Sequence, residues 1–256
     1  MKRRIKQSFD LGSVTYDKYS DVQKKVGQFL VDFFLKSFSK KQNPNFYNNP
    51  ISLVDLGSGT GEFSKKIISN FLINRIRLID ISNEMIKCAK QKIKNKKVEF
   101  LVCDFDKYFE FKEFNMIVSN MALHWSLNTN KLLENIISNM SAGSFFLFSV
   151  PNSDSFSNFK KLIPKNITNN FFNDLPGKNM ILSLKKNKNI YFDTKKIKIF
   201  RKYLHPLCFL KEMRKLGVNI KINNKHNNLF FLKKMDDKEF FLDYDITLCL
   251  IKKNET

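Results

Sequence analysis

Three acids stand where apolar runs end: Asp55 in ISLVDL, Asp80 in RIRLID and Asp104 in LVCDF. Just beyond the first comes GSGTG, which sets Gly57, Gly59 and Gly61 two residues apart. Glycines at such a turn let the backbone bend sharply and let a ligand approach with no Cβ in the way. Asp80 lies 23 residues after Gly57, where a carboxylate can accept both hydroxyls of a ribose. Charge-assisted bonds of that kind are worth roughly 1.5–3 kcal/mol each. Asp104 ends the third run, where an adenine amino group could reach it. The dinucleotide fingerprint is GxGxxG. The spacing here is GxGxG and no P-loop lysine follows, which argues against dinucleotides and ATP. The bland alternative is a structural strand–turn–helix. A second unusual stretch is SNMALHWS, residues 119–126: Trp125 is the only tryptophan in 256 residues, and His124 is one of three histidines.

The elements that must hold these residues follow from the apolar periodicity. Val22, Val26, Phe29, Leu30, Phe33 and Phe34 form a helical stripe over 21–41, with Ser20 or Asp21 as a cap. NPNFYNNP (43–50) reads as a loop. Strands are expected at 51–56, 75–80, 98–102, 114–120 and 144–150, and helices at 61–71, 83–94 and 129–140. Short apolar strands alternating with helices imply βαβ units and a parallel sheet. Beyond Pro151 the rhythm changes. Residues 154–190 are polar and irregular. A strand is expected at 197–203, a helix over 207–217 ending at Gly217, and a closing strand, FFLDYDITLCLIKK, over 240–253.

Composition narrows the class. The chain has 27 phenylalanines, 43% hydrophobic residues and a net charge of +21. That points to a ring-rich core and to an acidic partner, although drift toward Lys, Asn, Ile and Phe, the residues of AT-rich codons, also yields such a charge. The four cysteines, Cys88, Cys103, Cys208 and Cys249, show no metal spacing and read as buried, reduced thiols of a cytoplasmic protein. MKRRIKQSFD is basic but has no apolar run behind it, and no run approaches the ~18–20 residues of a membrane span. No metal and no membrane partner are expected.

The D-x-G-x-G-x-G loop, Asp80 and Asp104, in that order, resemble the class I S-adenosylmethionine-dependent methyltransferases. The resemblance implies an α/β, Rossmann-like fold: a mostly parallel seven-stranded sheet flanked by helices, with an antiparallel C-terminal strand and an N-terminal helical lid. It implies S-adenosyl-L-methionine as cofactor and S-adenosyl-L-homocysteine as product. Gly57, Gly59 and Gly61 would line the methionine end, and Asp55 would orient the loop or the amino group. Asp80 would hold the ribose beside Ile81 and Met85, Asp104 and Phe105 would flank the adenine, and Asn120 would border the cofactor.

Further stretches resemble the malonyl-acyl-carrier-protein O-methyltransferases of biotin synthesis. SFDLGSVTYDKYSDVQKKV (8–26) looks like that family's F-x-x-A-x-x-Y-[DE]-x-x-A-x-[LV]-Q start, and SNMALHW is similar to its S-N-L-A-[LV]-[QH]-W. KYLHPLCFLKEMRKLGVN (202–219) is similar to its late L-L-R-x-L-K-x-[IL]-G-A-N segment, and the ending is similar to its terminal strand. The chain departs from the pattern at Ser13 or Val14, at Asn115, at SAGS before the fifth strand, and at NNFF (169–172), where a family arginine is lost. Lys165 and Lys178 are candidates to replace it.

This resemblance implies a single domain over 1–256, with a lid (1–42), a cofactor core (50–150) and a substrate and carrier region (151–256). The implied reaction methylates the free carboxylate of a malonyl thioester. A carboxylate is already ionised at pH 7, so no general base is needed. His124 and Trp125 then suit the task as neutral donors, with packing as their bland alternative. Tyr16, and with it Tyr19, would lie on the lid. An acidic acyl carrier protein is the implied partner of what is expected to be a monomer, with Lys211, Arg214 and Lys215, joined by Lys2, Arg3 and Arg4, as docking candidates. The alternatives are a small-molecule carboxyl methyltransferase of the trans-aconitate type and an RNA methyltransferase. Against the latter, SNMA is not the N-P-P-Y-like element used on adenine amines, so no nucleic-acid partner is expected.

Overall fold

The computed structural model describes residues 1–41, 43–94, 97–162, 175–218 and 239–255, with Asn45 and Lys178 described by backbone alone. Lys165 and the NNFF segment at 169–172 lie outside the described residues, as does the side chain of Lys178.

The apolar runs form seven strands: β1 (Ile51–Leu56), β2 (Ile73–Asp80), β3 (Val98–Val102), β4 (Met116–Asn120), β5 (Phe145–Pro151), β6 (Ile190–Tyr203) and β7 (Phe240–Lys253). They make one sheet of order β3-β2-β1-β4-β5-β7-β6. The pairs β1–β2, β1–β4, β2–β3 and β4–β5 are parallel. β7 runs antiparallel between β5 and β6. All seven residues of β5 are buried, as expected of a strand covered on both faces. Strand order reverses between β1 and β4, and in open α/β sheets a crevice forms at the carboxyl ends beside such a reversal. The glycine turn after β1 and SNMALHW after β4 therefore face each other by topology.

Nine helices accompany the strands among the described residues: α1 (Lys2–Tyr19), α2 (Asp21–Ser37), α3 (Pro44–Asn48), α4 (Glu62–Asn70), α5 (Asn83–Lys92), α6 (Thr129–Asn139), α7 (Ser157–Leu162), α8 (Lys178–Ser183) and α9 (Pro206–Lys215). Their ends carry the chemistry that starts and stops helices. Ser82 Oγ accepts from the Met85 N–H at the start of α5, and Asn128 Oδ1 accepts from the Lys131 N–H at the start of α6. α9 begins on Pro206 and is followed by Gly217 at φ +72°, the left-handed turn that suits glycine. Apolar residues of α2, α4, α5, α7 and α9 cover one face of the sheet, and those of α6 cover the other.

Several expectations need correction. NPNFYNNP is not all loop: Pro44 opens α3, and Phe46 packs on Phe145 with ring centroids 4.9 Å apart. The strand expected at 197–203 extends back to Ile190, because the whole run pairs with β7. The stretch from 154 to 190 contains α7 and α8. Only Cys249 is buried; Cys88 and Cys103 are half-buried and Cys208 is exposed. Among the described residues no helix is long and apolar enough to cross a membrane.

Candidate functional site

The glycine turn is fixed by contacts that no other residue would permit. Gly57 has φ +73°, and a Cβ on it would lie 2.4 Å from the Ala122 Cβ. The turn thus rests directly on the segment after β4. Gly57 and Ser58 donate their N–H groups to the Ile79 carbonyl at 2.8 and 2.9 Å, tying the turn to β2. Gly59 has φ +54° with no atom within 4 Å of a notional Cβ, so it presents bare backbone to open space.

That space consists of two clefts of about 490 and 550 Å³ that share Tyr16, Gly57, Gly59 and Asn120 as walls. The first is closed by α2 and α4 and contains Asp55. The second runs along the ends of β2 and β3, where Asp80, Ile81, Met85, Asp104 and Phe105 line it together with Trp125. The two clefts bring together every residue expected to border the cofactor except Gly61. Gly61 caps α4 instead: a Cβ there would meet the Ile93 side chain at 2.9 Å.

The acids are not free. Asp80 accepts the Gly59 N–H at 2.8 Å through one oxygen and the Ser82 N–H at 2.8 Å through the other. It braces the turn against the start of α5, and lone pairs remain on both oxygens. Burial pushes its carboxyl up to about 6, against the pull of those N–H groups. Asp55 accepts from Ser64 Oγ, and burial pushes it up to about 7, with the nearby Asp80 charge adding to the rise. Asp104 holds Lys2 Nζ at 2.9 Å, and the same ammonium reaches Asp106 at 2.8 Å and lies 4.7 Å over the Phe105 ring. Lys2 is therefore committed to the cleft, not to the outer surface where a docking role would place it.

α1 covers both clefts and is pinned to each of the three loops. Lys2 engages the loop after β3. Asp10 accepts from Ser82 Oγ at 2.6 Å, at the start of α5. Asp17 accepts from Thr60 Oγ1 at 2.5 Å in the glycine turn and from Lys92 Nζ at 2.8 Å. Tyr16 faces both clefts, its phenol pKa raised by burial and then by the Asp80 and Asp17 charges. Tyr19 packs against the core and lines neither cleft.

His124 and Trp125 part company. Trp125 lines the second cleft and meets Phe9 of α1 edge-on, with centroids 5.3 Å apart at 87°. His124 lines neither cleft. Its Nδ1 is shut away without a partner among the described residues, and burial pushes its pKa down to about 3, so the ring is neutral. Asn120 joins β4 to its neighbours, accepting from Ser149 Oγ at 2.8 Å and donating to the Gln23 carbonyl at 2.9 Å.

The sequence did not single out Gln23 or Ser58, and took Ser20 only as a cap. Their side-chain oxygens Gln23 Oε1, Ser58 Oγ and Ser20 Oγ are all buried without a partner among the described residues, and all three residues line the first cleft. Unmet polar atoms are costly to bury, so three converging on one cavity mark a polar ligand. The available signal was Gln23 itself, polar between the buried Val22 and Val26. A zwitterionic amino-acid tail fits this cleft, and a nucleoside fits the aromatic and acidic second one. On α9, Lys211, Arg214 and Lys215 are exposed.

The chain is similar to known proteins over most of its length. The family profile described as "Methyltransferase domain" matches residues 48–202. Malonyl-[acyl-carrier protein] O-methyltransferase 1 of Ilyobacter polytropus is 30% identical over 88% of this chain and 81% of its own. Malonyl-[acyl-carrier protein] O-methyltransferase 2 of the same organism is 29% identical over 87% and 83%. Among solved structures, the plantazolicin methyltransferase BpumL, in complex with a triazolic desmethylPZN analog and SAH, has a TM-score of 0.56 over 100% of both chains, with 18% identity. That likeness is one of fold.

Proposed function

Since the chain belongs to the methyltransferase-domain family, and within it to the malonyl-[acyl-carrier protein] O-methyltransferases, we propose that it methylates the free carboxylate of a malonyl group held as a thioester on an acyl carrier protein. The bound sulfonium cofactor supplies an electrophilic methyl group. The chain's residues bind, orient and exclude water. Asp55, Gln23, Ser20 and Ser58 hold the ammonium and carboxylate of the amino-acid end. Asp80 takes the ribose hydroxyls, Ile81, Met85 and Phe105 bracket the base, and Asp104 accepts from its amino group.

The observation that carries the substrate class is that the side chain lining the second cleft at the end of β4, Trp125, offers a neutral donor. A carboxylate nucleophile is ionised at neutral pH and needs no proton removed. A cationic clamp would lower its nucleophilicity. The Trp125 indole N–H orients one carboxylate oxygen without that penalty, His124 stays neutral behind it, and the indole and Phe9 rings exclude water. Such orientation in a dry site is worth up to ~7–11 kcal/mol in favourable cases. Lys211, Arg214 and Lys215 then serve the acidic carrier.

The test is methyl transfer by the purified protein to malonyl carrier protein, with malonyl thioesters of small thiols and free polycarboxylates assayed alongside. Transfer to both malonyl thioesters is expected. Transfer only to free polycarboxylates would overturn the substrate class.

A further inference from the structure

The outer face of α1 has no partner. Arg4, Gln7, Leu11, Val14 and Lys18 recur at helical spacing along it, and all five are exposed. At its centre Leu11 is 86% exposed and Val14 is 89% exposed. A solvated helix face usually carries polar residues at such positions, and two apolar side chains a turn apart between basic ends do not fit that pattern.

This face continues onto α9. A Cβ on Gly12 would lie 2.5 Å from the Gly217 nitrogen, and Thr15 Oγ1 donates to the Lys215 carbonyl at 2.7 Å. Leu11 and Val14 thus flank the seam whose other side carries Lys211, Arg214 and Lys215. The charges across the seam are sorted by sign. Asp10 of α1 is held by Lys6 and Ser82, and Asp17 by Thr60 and Lys92. Glu212 of α9 is buried, accepting from the Tyr203 hydroxyl at 2.9 Å and pairing with Arg201 at 3.0 Å. Arg3, Arg4 and Lys18 of α1 and Lys211, Arg214 and Lys215 of α9 are exposed and form no ion pair among the described residues. Every acid on these two helices has a partner in the fold, although the Asp17 side chain stays 45% exposed, and the outer face of α1 is apolar at the centre and cationic at its ends.

We infer that the α1–α9 seam is the docking surface for the carrier protein: it receives a helix of that partner bearing an apolar side chain between carboxylates, with Leu11 and Val14 as the apolar contact. This rests on the carrier-protein reading above and extends it from α9 to the helix that covers the clefts. Charge complementarity would set the encounter rate, and the apolar pair, desolvated on contact, would set the residence time.

The experiment compares the native protein with Leu11→Glu/Val14→Glu, Leu11→Met/Val14→Ile and Arg214→Glu on malonyl carrier protein and on a malonyl thioester of N-acetylcysteamine. For the glutamate pair and for Arg214→Glu, KM for the carrier substrate is expected to rise tenfold or more, while kcat/KM for the small thioester stays within twofold. The methionine–isoleucine variant is expected to keep both. An unchanged carrier KM in the glutamate pair would overturn the docking surface. So would a parallel fall on both substrates, which would assign these residues to the fold instead. If the native protein methylates neither malonyl substrate, the functional reading fails and this surface fails with it. If it methylates the small thioester and the variants leave carrier turnover unchanged, only the surface fails.

Discussion

Gly12 of α1 meets Gly217 beyond α9 backbone to backbone: a Cβ on Gly12 would stand 2.5 Å from the Gly217 nitrogen, and one on Gly217 would stand 2.6 Å from the Ser8 carbonyl oxygen of α1. Ala in place of Gly12 must push the backbone at Gly217 aside. Overpacking of this kind typically costs about 1–3 kcal/mol, so Gly12→Ala is expected to lower Tm by several degrees. Because α1 also walls both clefts, the same change is expected to weaken binding of S-adenosylhomocysteine. Thermal unfolding and calorimetric titration check the two effects.

Gln23 predicts opposite signs for stability and binding. Its Oε1 is buried with no partner among the described residues, a cost that a leucine of similar size removes. Gln23→Leu is expected to hold or raise the Tm of the free protein. It removes an acceptor for a charged ammonium, a bond worth about 1.5–3 kcal/mol, so S-adenosylhomocysteine affinity is expected to fall roughly 10- to 150-fold. A drop in both quantities would identify Gln23 as a structural residue only.

Asp55 should couple pH to both folding and binding. Its folded pKa, pushed up to about 7, lies above the unfolded value of 3.8. The folded state therefore keeps a proton that the unfolded chain has released. The stabilisation is fully present below the unfolded pKa and is lost as pH rises through the folded one. Between pH 5 and 8 the Tm of the native protein is expected to fall more steeply than that of Asp55→Asn. Binding of an ammonium beside Asp55 favours the ionised form, so the dissociation constant for S-adenosylhomocysteine is expected to rise as pH is lowered from 8 to 5.5. That slope should flatten in Asp55→Asn.

Trp125 and His124 should differ in what they contribute to turnover. Trp125→Phe removes the only indole donor on the second cleft and is expected to lower kcat/KM for malonyl thioesters by roughly 10- to 150-fold, the range for one lost hydrogen bond to a charged group. His124 lies behind it and is held neutral, so turnover is expected to show no histidine inflection between pH 5 and 8. Unchanged kcat/KM in both Trp125→Phe and His124→Ala would remove the proposed role of this pair.

Much of the cofactor side was legible because its chemistry is local in sequence. A glycine turn directly after a strand, followed by acids at the ends of the next two strands, needs only the strand–helix alternation to bring it together, and ISLVDL and VEFLV form strands with the expected bounds. The latches of α1 were not legible. Lys2, Asp10 and Asp17 look like ordinary solvated charges of a basic chain, and their partners lie 102, 72 and 43 residues away. Nor could the sequence separate His124 from Trp125: adjacent residues in a tight turn point in different directions, and only the packing of Phe9 decides which ring reaches the cleft.

The chain's single tryptophan sits where α1 meets the second cleft, its ring edge-on to Phe9. Any departure of that helix would bare the indole to water on one side. The protein therefore carries its own optical gauge: indole emission from one residue, excited apart from the seven tyrosines, reads whether the cover over the clefts is shut, and does so before any methyl group has moved.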